Sequence, residues 1–438
     1  MITRRGWEAV AGALGALLLA LYSLNLVLEL VAVAAIAFVL TEMIGFEAAH
    51  RTLGPARFES RRDPGPRRVP ADGEVPTTVE LTYRGRVPFR AEVFDVVPDA
   101  FDPIRGSSRA LTWIVPGATV RLAYAYRPRV RGAYVVGPTV VVARDAFGFC
   151  VRTTALRTDR ALTVVPPSIA GRLGRLGVAL FTRFQAGLSV RRRGYGTEFR
   201  GLRPYQPSDD IRHVAWKRST LRQLVVREFD QESRQDFVVA LDLSSGMRAG
   251  LWGRSALDVS VEAAALLTNL IARGGEDRMG FLSYAGGVFQ FLGPGRGPGH
   301  FRRIVDNLAL ADHRAGAFSL PDLLVQASRR LRGPTHLFIF SALDGNMEGL
   351  RAANANLRAH GHHPYLFVAN RGGFYPAPEE APPTQAMEWA IAADRGRLRS
   401  SLAVTRSEGL PSFTFDRRGA GDRVLYAYTQ IRAWGWAR

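Results

Sequence analysis

The chain begins with an almost uninterrupted apolar stretch, residues 7–44, in which three glutamates are the only charged residues. One helix that crosses a bilayer needs about 20 apolar residues, so a stretch of this length suits two helices. The short polar side chains in residues 23–25 predict a turn. The sequence therefore predicts a transmembrane helical hairpin within residues 1–50, with helices at about residues 7–22 and 26–44.

Arginines lie on both sides of this hairpin, and its turn contains no basic residue. Arg4 and Arg5 precede it, and six more arginines occur in residues 51–70, which we name the basic juxtamembrane segment. Because positive charge favours the cytoplasmic side, we expect both ends of the hairpin and the bulk of the chain to be cytoplasmic, at the inner membrane. An adhesin exposed outside the cell would need the opposite topology. The segment's arginines are also expected to contact anionic lipids. A cleaved signal peptide is the alternative, but its apolar region would be only about 7–15 residues long.

The overall charge also bears on possible partners. The formal net charge is +19, yet Lys217 is the single lysine. Such a bias towards arginine indicates genome composition, so we expect no nucleic-acid partner. Lys217 follows Trp216, which excludes the Gly-Lys-Ser/Thr element of a nucleotide-binding phosphate loop. Cys150 is the only cysteine, so an intrachain disulfide is excluded, as suits a reducing compartment.

After residue 70 the apolar residues alternate with polar ones, a pattern typical of half-buried strands. Turn residues separate the short runs, which favours a small β-sandwich over residues 71–167. No paired carboxylates or metal-ligand spacing occur there, so a spacer or docking module is the expected role. Residues 168–193 are predicted to be a linker. The candidate strands are residues 77–83, 89–94, 119–126, 139–143 and 162–165.

From residue 236 to residue 438, apolar strands alternate with amphipathic helical segments. This alternation predicts an α/β domain with a mainly parallel, doubly wound sheet. Ligands of such sheets bind at the carboxyl ends of the strands. The predicted strands are residues 237–241, 278–283, 288–292, 336–340, 364–369 and 412–415. The predicted helices are residues 256–272, 320–331, 349–360, 387–402 and 422–433.

One carboxyl end carries candidate ligands, because the first strand of this domain runs into Asp242 and Ser244. An apolar strand that ends in Asp-x-Ser resembles the start of the metal-ion-dependent adhesion motif of von Willebrand factor A domains. That resemblance implies a Rossmann-like fold and a possible Mg²⁺ site. The ligands it implies are Asp242, Ser244, Ser319 and Asp344. Gly246 replaces the motif's second serine, and Ala342 stands near its late aspartate. We therefore expect weak Mg²⁺ binding or none.

Residues 194–235 carry a dense run of polar and aromatic residues before this domain. Asp209 and Asp210 lie among arginines and are expected to form bidentate pairs with Arg203, Arg212 or Arg227. For Tyr205 and Trp216, packing in a core and contact with a partner both remain open. The run includes Gly196-Thr197-Glu198-Phe199, Leu202-Arg203-Pro204-Tyr205-Gln206-Pro207, Asp209-Asp210-Ile211-Arg212 and Trp216, and continues to Glu232.

This segment resembles the signature of the domain-of-unknown-function-58 (DUF58) family, Gly-x-Glu-Phe-x-x-Leu-Arg-x-Tyr-x-Pro-Gly-Asp-Asp-x-Arg-x-Ile-Asp-Trp. Ser208 and Ala215 depart from it. Two segments of the middle region, residues 131–134 and 145–148, also resemble family segments. The signature residues, to which we assign a structural or partner-binding role, are Glu198, Arg203, Tyr205, Asp209, Asp210, Arg212, Trp216, Arg227 and Glu232.

The resemblance implies a membrane-anchored scaffold that works with a MoxR-type AAA+ ATPase in the maturation or remodelling of client proteins. An uncharacterised hydrolase that uses Asp209, Asp210 and His213 is the alternative. No Gly-x-Ser-x-Gly or His-Glu-x-x-His motif is present, so we expect no enzyme activity. The histidines in residues 360–363 are explained by a helix C-terminus, which favours cationic side chains, rather than by a metal site.

Overall fold

The computed structural model describes residues 2–50, 53–145, 147–167, 192–194, 198–207, 209–220, 224–231, 235–274, 277–375, 384–417 and 419–434. The chain forms two compact units, Met1–Pro167 and Ser168–Arg438. Each unit is described by itself.

Two apolar helices begin the first unit, α1 (Arg4–Ser23) and α2 (Leu26–His50). The Thr3 hydroxyl caps α1 by accepting a hydrogen bond from the Gly6 amide at 3.1 Å. Between the helices, the Asn25 side chain accepts hydrogen bonds from the first amides of α2, including that of Val27 at 3.0 Å. By length and composition, both helices could cross a membrane. The two predicted apolar helices are confirmed, and each is longer than predicted.

The remainder of this unit is built from mainly antiparallel sheets around one core. Alternate residues of the strands point into that core, as the period-two pattern predicts. In the described part of the unit, the strands are β1 (Phe58–Arg62), β2 (Arg68–Pro70), β3 (Val75–Tyr83), β4 (Phe89–Asp95), β5 (Phe101–Gly106), β6 (Arg109–Ile114), β7 (Thr119–Pro128), β8 (Gly132–Val136), β9 (Thr139–Arg144), β10 (Val151–Leu156) and β11 (Arg160–Val165). The sheet orders are β1-β3-β7-β5, β10-β9-β4-β6 and β2-β11-β8, with β2 parallel to β11.

Part of the basic juxtamembrane segment is folded into the sheets of this unit, whereas Arg57, Arg61 and Arg67 are exposed and their contact with anionic lipids stays a prediction. Its residues 58–62 and 68–70 are strands β1 and β2. The side chain of Arg62 is only 7% exposed and binds the buried Asp95 carboxylate at 2.5 Å. Asp95 also accepts hydrogen bonds from Tyr124 and, at 2.9 Å, from Thr139. Arg62 therefore ties β1 to the interior of the unit and is unavailable to lipid.

The second unit contains a small sheet and a large one. The small sheet has the order β12-β14-β13 and consists of β12 (Arg192–Gly194), β13 (Glu198–Pro204) and β14 (Val225–Gln231). Two residues of the predicted linker, 192 and 193, thus belong to a strand; residues 168–191 lie outside the described residues. The large sheet consists of β15 (Asp236–Asp242), β16 (Arg278–Tyr284), β17 (Val288–Gly295), β18 (Thr335–Ser341), β19 (His363–Ala369) and β20 (Ser412–Phe415).

The large sheet has the order β17-β16-β15-β18-β19-β20, in which only β17 runs antiparallel to its neighbour. Successive residues of β15 point to opposite faces, and each face has its own apolar core. One core includes residues of helices α3, α4 and α8, and the other includes residues of α5, α6 and α7. The predicted mixed α/β architecture is confirmed. The helices are α3 (Ala256–Gly274), α4 (Pro298–Leu310), α5 (Leu320–Arg330), α6 (Leu350–Ala359), α7 (Gln385–Ser407) and α8 (Ala420–Trp434).

Candidate functional site

The carboxyl ends of the two central strands, β15 and β18, meet at Asp242. This residue ends β15 and is fully buried. Its Oδ1 accepts a hydrogen bond from the Ser244 amide at 2.8 Å, and its Oδ2 accepts one from the Ser341 hydroxyl at 2.7 Å. Ser341 ends β18, which pairs with β15. Parallel pairing of adjacent strands thus brings together two polar residues that are 99 positions apart.

Burial controls the charge of this carboxyl group. Loss of solvent raises the pKa of Asp242 to about 6, and the nearby Asp344 carboxylate adds to the increase. Hydrogen bonds from Ser244 and Ser341 oppose it by favouring the ionised form. Asp242 is therefore mostly ionised at neutral pH, inside an apolar core.

The loop after β18 brings Asp344 to the same edge of the sheet. Its carboxylate lies against Gly246, where an added Cβ would be 2.1 Å from Oδ2 of Asp344. Arg371 donates a hydrogen bond to that oxygen at 3.2 Å. The same guanidinium contacts the buried Asp394 of α7 at 3.4 Å. Arg371 therefore supplies an internal cation to two carboxylates, one from the loop after β18 and one from α7.

Ser319 has a different partner from the one its resemblance to the adhesion motif implies. It is the N-cap of α5, and its hydroxyl accepts a hydrogen bond from the Asp322 amide at 3.3 Å. Within the described residues, no hydrogen bond joins Ser319 to Asp242. Asp322 in turn accepts a hydrogen bond from the Tyr284 hydroxyl at 2.6 Å.

The residues at this edge do not fit a complete Mg²⁺ site. Mg²⁺ requires about six oxygen ligands in near-octahedral geometry. Within the described residues, the buried Ser244 hydroxyl has no hydrogen bond of ordinary geometry and would suit a cation, but Asp344 is already paired with Arg371. Across the described part of the chain, no three His, Cys, Asp or Glu side chains form a metal-binding group. The edge is an internally paired polar cluster.

The signature segment is organised by one ion pair, between Arg203 of β13 and Asp209. The Nη1 of Arg203 donates to Oδ2 of Asp209 at 2.6 Å, and its Nη2 donates to Oδ1. Asp209 also accepts a hydrogen bond from the Gln206 amide at 2.8 Å, and its side chain is only 6% exposed. The hydrogen bonds from Arg203 hold the pKa of Asp209 below its ordinary value. This pair closes the turn that follows β13.

Asp210 and Arg212 do not form the expected bidentate pair. Asp210 is exposed, and it caps a short 3₁₀ helix by accepting a hydrogen bond from the Arg212 amide at 2.9 Å. The Arg212 side chain is exposed too, as is that of Arg227 in β14. Within the described residues, the expected bidentate pairing is therefore found for Asp209 with Arg203 and not for Asp210.

The two aromatic residues of the signature differ in burial. Trp216 is 63% exposed, so it does not pack in a core, whereas Tyr205 is half-buried. Beneath this surface, Val214 forms a bridge with Val226 of β14, and both are buried. Glu198 lies in β13 but its side chain is outside the described residues, and so is Glu232.

The histidines at residues 360–363 follow α6, as their proposed helix C-terminal role predicts. The Nδ1 of His360 lies 2.8 Å from the carbonyl oxygen of Asn356, one turn earlier. His362 is buried, and loss of solvent lowers its pKa. Stacking of His336 on His363 joins β18 to β19.

A loop that carries no sequence motif also lies at the carboxyl edge. Residues 249–255 follow the short helix after β15, and Trp252 is 72% exposed at their centre. Leu251 beside it is exposed as well. The loop ends in a reciprocal cap at the start of α3, where the Ser255 hydroxyl donates to Asp258 at 2.8 Å and accepts from its amide at 3.2 Å. The Ala256 amide also donates to the Ala249 carbonyl at 2.8 Å, so the start and the end of the loop are both fixed below its apolar tip.

Comparison with known proteins relates these features to a family. Residues 201–343, which contain the Arg203–Asp209 pair and the end of β15, match the family described as "Protein of unknown function DUF58". A search of curated proteins gave no match.

Two solved structures are similar to part of the chain. The conserved hypothetical protein BatB from Bacteroides thetaiotaomicron is 12% identical, with 45% of this chain and 98% of that chain covered and a TM-score of 0.31. An aerotolerance-related membrane protein from Bacteroides fragilis is 15% identical, with the same coverages and a TM-score of 0.29.

Proposed function

We propose that this chain is a membrane-anchored interaction module whose partner binds at the carboxyl edge of the large sheet. The observation that carries the proposal is the loop of residues 249–255, which presents Leu251 and Trp252 to solvent between two fixed ends. Exposed tryptophans in a rigid setting are typical anchors of protein interfaces. The Asp-x-Ser sequence at the end of β15 supports a von Willebrand factor A-like domain, in which this edge binds partners.

The charge around this loop supports an acidic partner surface. Arg248 and Arg254 flank the loop and are exposed. Arg314, whose amide donates to the Leu243 carbonyl at 2.8 Å, stacks on the Phe289 ring at 3.6 Å. An apolar tip flanked by arginines suits an apolar pocket rimmed by carboxylates.

We assign the partner role to a MoxR-type AAA+ ATPase, which would supply the nucleotide hydrolysis for remodelling client proteins. The sequence has no phosphate loop of its own. Affinity purification of the full chain in mild detergent, followed by mass spectrometry, should recover the ATPase. The double substitution Leu251→Ser and Trp252→Ser should reduce recovery more than tenfold, as expected for the loss of an interface anchor.

Trp389 provides a matched control, because it is 69% exposed on α7 of the same unit. Trp389→Ser should leave recovery unchanged. Equal recovery with all three proteins, or a wild-type chain that retains no ATPase, would contradict the proposal.

The proposed orientation places both ends of the hairpin in the cytoplasm of the cell, at the inner membrane. Arg4 and Arg5 precede the hairpin, and its turn has no basic residue. A reporter that is active only outside the cytoplasm, fused after residue 438, should stay inactive. A strongly active fusion would contradict the orientation and remove the cytoplasmic ATPase as partner.

The alternative hydrolase has less support. A general base works best when its pKa lies near the working pH. Asp209 is held by Arg203 and the Gln206 amide, and its pKa is lowered. Asp210 is engaged as a helix cap. Neither carboxylate is poised to activate a nucleophile.

A further inference from the structure

The first unit contains a cleft of about 810 Å³ at the base of the helical hairpin. One wall is the start of α1, and the other is the outer face of strands β4, β6 and β9. The Thr3 hydroxyl and amide donate to the carbonyls of Gly148 and Phe149, at 2.6 and 2.8 Å. These bonds fasten the start of the hairpin to the loop after β9, so the cleft has fixed walls.

Positive charge dominates this cleft. Its lining includes the arginines Arg4, Arg5, Arg90, Arg109 and Arg144, and the acids Glu92 and Asp145. Both acids are already engaged. Glu92 pairs with Arg109 at 3.2 Å, and Asp145 accepts hydrogen bonds from backbone amides, including that of Cys150 at 2.7 Å.

Three of the lining arginines have no counter-ion in the part of the chain that the structure describes. Among the residues that the structure describes, Arg5, Arg90 and Arg144 form no ion pair. Arg90 on β4 lies directly opposite Arg144 on β9, and both are exposed. Like charges directly opposite each other on one face of a sheet repel. An anion between them would turn this repulsion into attraction, so the pair is suited to binding one.

The surroundings of the cleft point to the membrane surface as the source of that anion. Phe147, in the loop after β9, packs edge-to-face on Phe38, near the middle of α2, with ring centroids 5.1 Å apart. The loop therefore reaches a part of the hairpin that a bilayer would cover. On the edge strand β6, Trp113 lies opposite Arg90 and is exposed, and so is Leu111. Tryptophan beside arginine is typical of the membrane–water interface.

We propose that this cleft binds the phosphate of an anionic phospholipid, with Arg90 and Arg144 as the main ligands and Arg5 as a third. The basic juxtamembrane segment is not part of it. The inference rests on the membrane anchoring proposed above. It gives the first unit a role of its own, which is to couple the chain to the charge of the bilayer.

The test uses the full chain in an uncharged detergent and calorimetric titration with dioctanoyl phosphatidylglycerol. We expect saturable binding that weakens as salt is added. Dioctanoyl phosphatidylcholine and inorganic phosphate should bind far more weakly. The double substitution Arg90→Gln and Arg144→Gln should weaken phosphatidylglycerol binding on the order of 30-fold, the loss expected for two charges at a membrane surface.

Two further proteins and one melting measurement separate the effect of charge from an effect on folding. Arg90→Lys with Arg144→Lys should retain most of the affinity. Arg121→Gln with Arg127→Gln, on exposed positions of β7 in another sheet, should bind as the wild type does. Without lipid, the Arg90→Gln and Arg144→Gln protein should melt at or above the wild-type temperature, because a repulsion has been removed.

Undiminished binding by the Arg90→Gln and Arg144→Gln protein would overturn the proposal. Equal affinity for inorganic phosphate would overturn it too, since the site would then serve a soluble anion. Alkaline carbonate extraction of membranes distinguishes failure of the lipid-site proposal from failure of the proposed membrane anchoring. A chain that resists extraction yet binds no phosphatidylglycerol contradicts only the lipid site, whereas a chain released by carbonate contradicts the proposed anchoring.

Discussion

The carboxylate of Asp344 occupies the space that a side chain at Gly246 would need. A Cβ atom at residue 246 would lie 2.1 Å from Oδ2 and 2.6 Å from Oδ1 of Asp344. Arg371 fixes that carboxylate from the other side at 3.2 Å. Asp344 can therefore occupy this position only because residue 246 is a glycine. A serine at residue 246 would clash with the Asp344 carboxylate.

We expect Gly246→Ala to lower the free energy of unfolding by about 1–3 kcal/mol, the usual cost of overpacking a tight site. Thermal unfolding of the full chain in mild detergent measures this. Asp344→Ala in the same chain should restore part of the loss by making room. Gly287→Ala is the matched control, because a Cβ there meets no atom within 4 Å. Equal melting temperatures for Gly246→Ala and Gly287→Ala would show that the Asp344 side chain moves aside without cost.

A second prediction concerns metal. Because Asp344 is paired with Arg371, Asp242 and Ser244 lack the further oxygen ligands that Mg²⁺ needs. Calorimetric titration with Mg²⁺ should give no binding in the micromolar range. Micromolar binding that Asp242→Ala abolishes would mean that Asp344 leaves Arg371 and completes the site. Asp322→Ala is the control: it removes a carboxylate that is hydrogen-bonded to Tyr284, and it should leave the result of the Mg²⁺ titration unchanged.

The strands and helices with strong periodicity were predictable from sequence, but the contacts at this edge were not. The apolar runs of β15 and β18 were located to within one or two residues. Helix α4 was not predicted, because glycine and proline at residues 297–299 obscure its start. Ser341 and Arg371 reach Asp242 and Asp344 only through the register of neighbouring strands and loops. A local sequence pattern does not indicate contacts between residues that are this far apart in the chain.

A third prediction follows from the pKa of Asp242. Its value of about 6 in the folded chain lies above the ordinary 3.8. Between these values the folded chain holds more protons than the unfolded chain, so this group lowers stability as pH rises from about 4 to about 6. Asp242→Asn removes that titration and keeps a carbonyl for the Ser244 amide.

Relative to the wild type, Asp242→Asn should therefore gain on the order of 2 kcal/mol of stability between pH 4 and pH 7. Denaturant unfolding of both proteins at several pH values gives this difference. A difference for Asp242→Asn that stays constant with pH would mean that burial does not raise its pKa.

The fourth prediction separates the two signature aspartates. Asp209→Asn weakens both hydrogen bonds from Arg203 and removes the negative charge of this ion pair in the turn after β13. Asp210→Asn keeps its cap, because asparagine also accepts the Arg212 amide. The melting temperature of the Asp209→Asn chain should therefore fall clearly, and that of Asp210→Asn should hardly change. The reverse order would mean that Asp210 carries the fold of this segment.

Sequence reasoning identified this pairing chemistry but could not choose its members. Two adjacent aspartates among several arginines can form several different ion pairs, and the chemistry of the side chains does not favour one of them. The choice depends on the turn after β13, in which Asp209 also accepts the Gln206 amide and so faces Arg203. The exposure of Trp216 was equally unpredictable, since a tryptophan in a short 3₁₀ helix suits either a core or a surface.

The last prediction concerns the buried pair Arg62–Asp95 in the first unit. Asp95→Ala would leave the Arg62 guanidinium, which is only 7% exposed, without its counter-ion, and would remove the acceptor for Tyr124. Such a loss costs about 3–5 kcal/mol. Asp102→Ala is the matched control, because Asp102 pairs with Arg129 at the surface, where an ion pair contributes about 0–1 kcal/mol. Thermal unfolding should therefore show a large fall in melting temperature for Asp95→Ala alone. Similar melting of both variants would mean that water reaches Arg62, and that strand β1 is held by its pairing with β3 rather than by this ion pair.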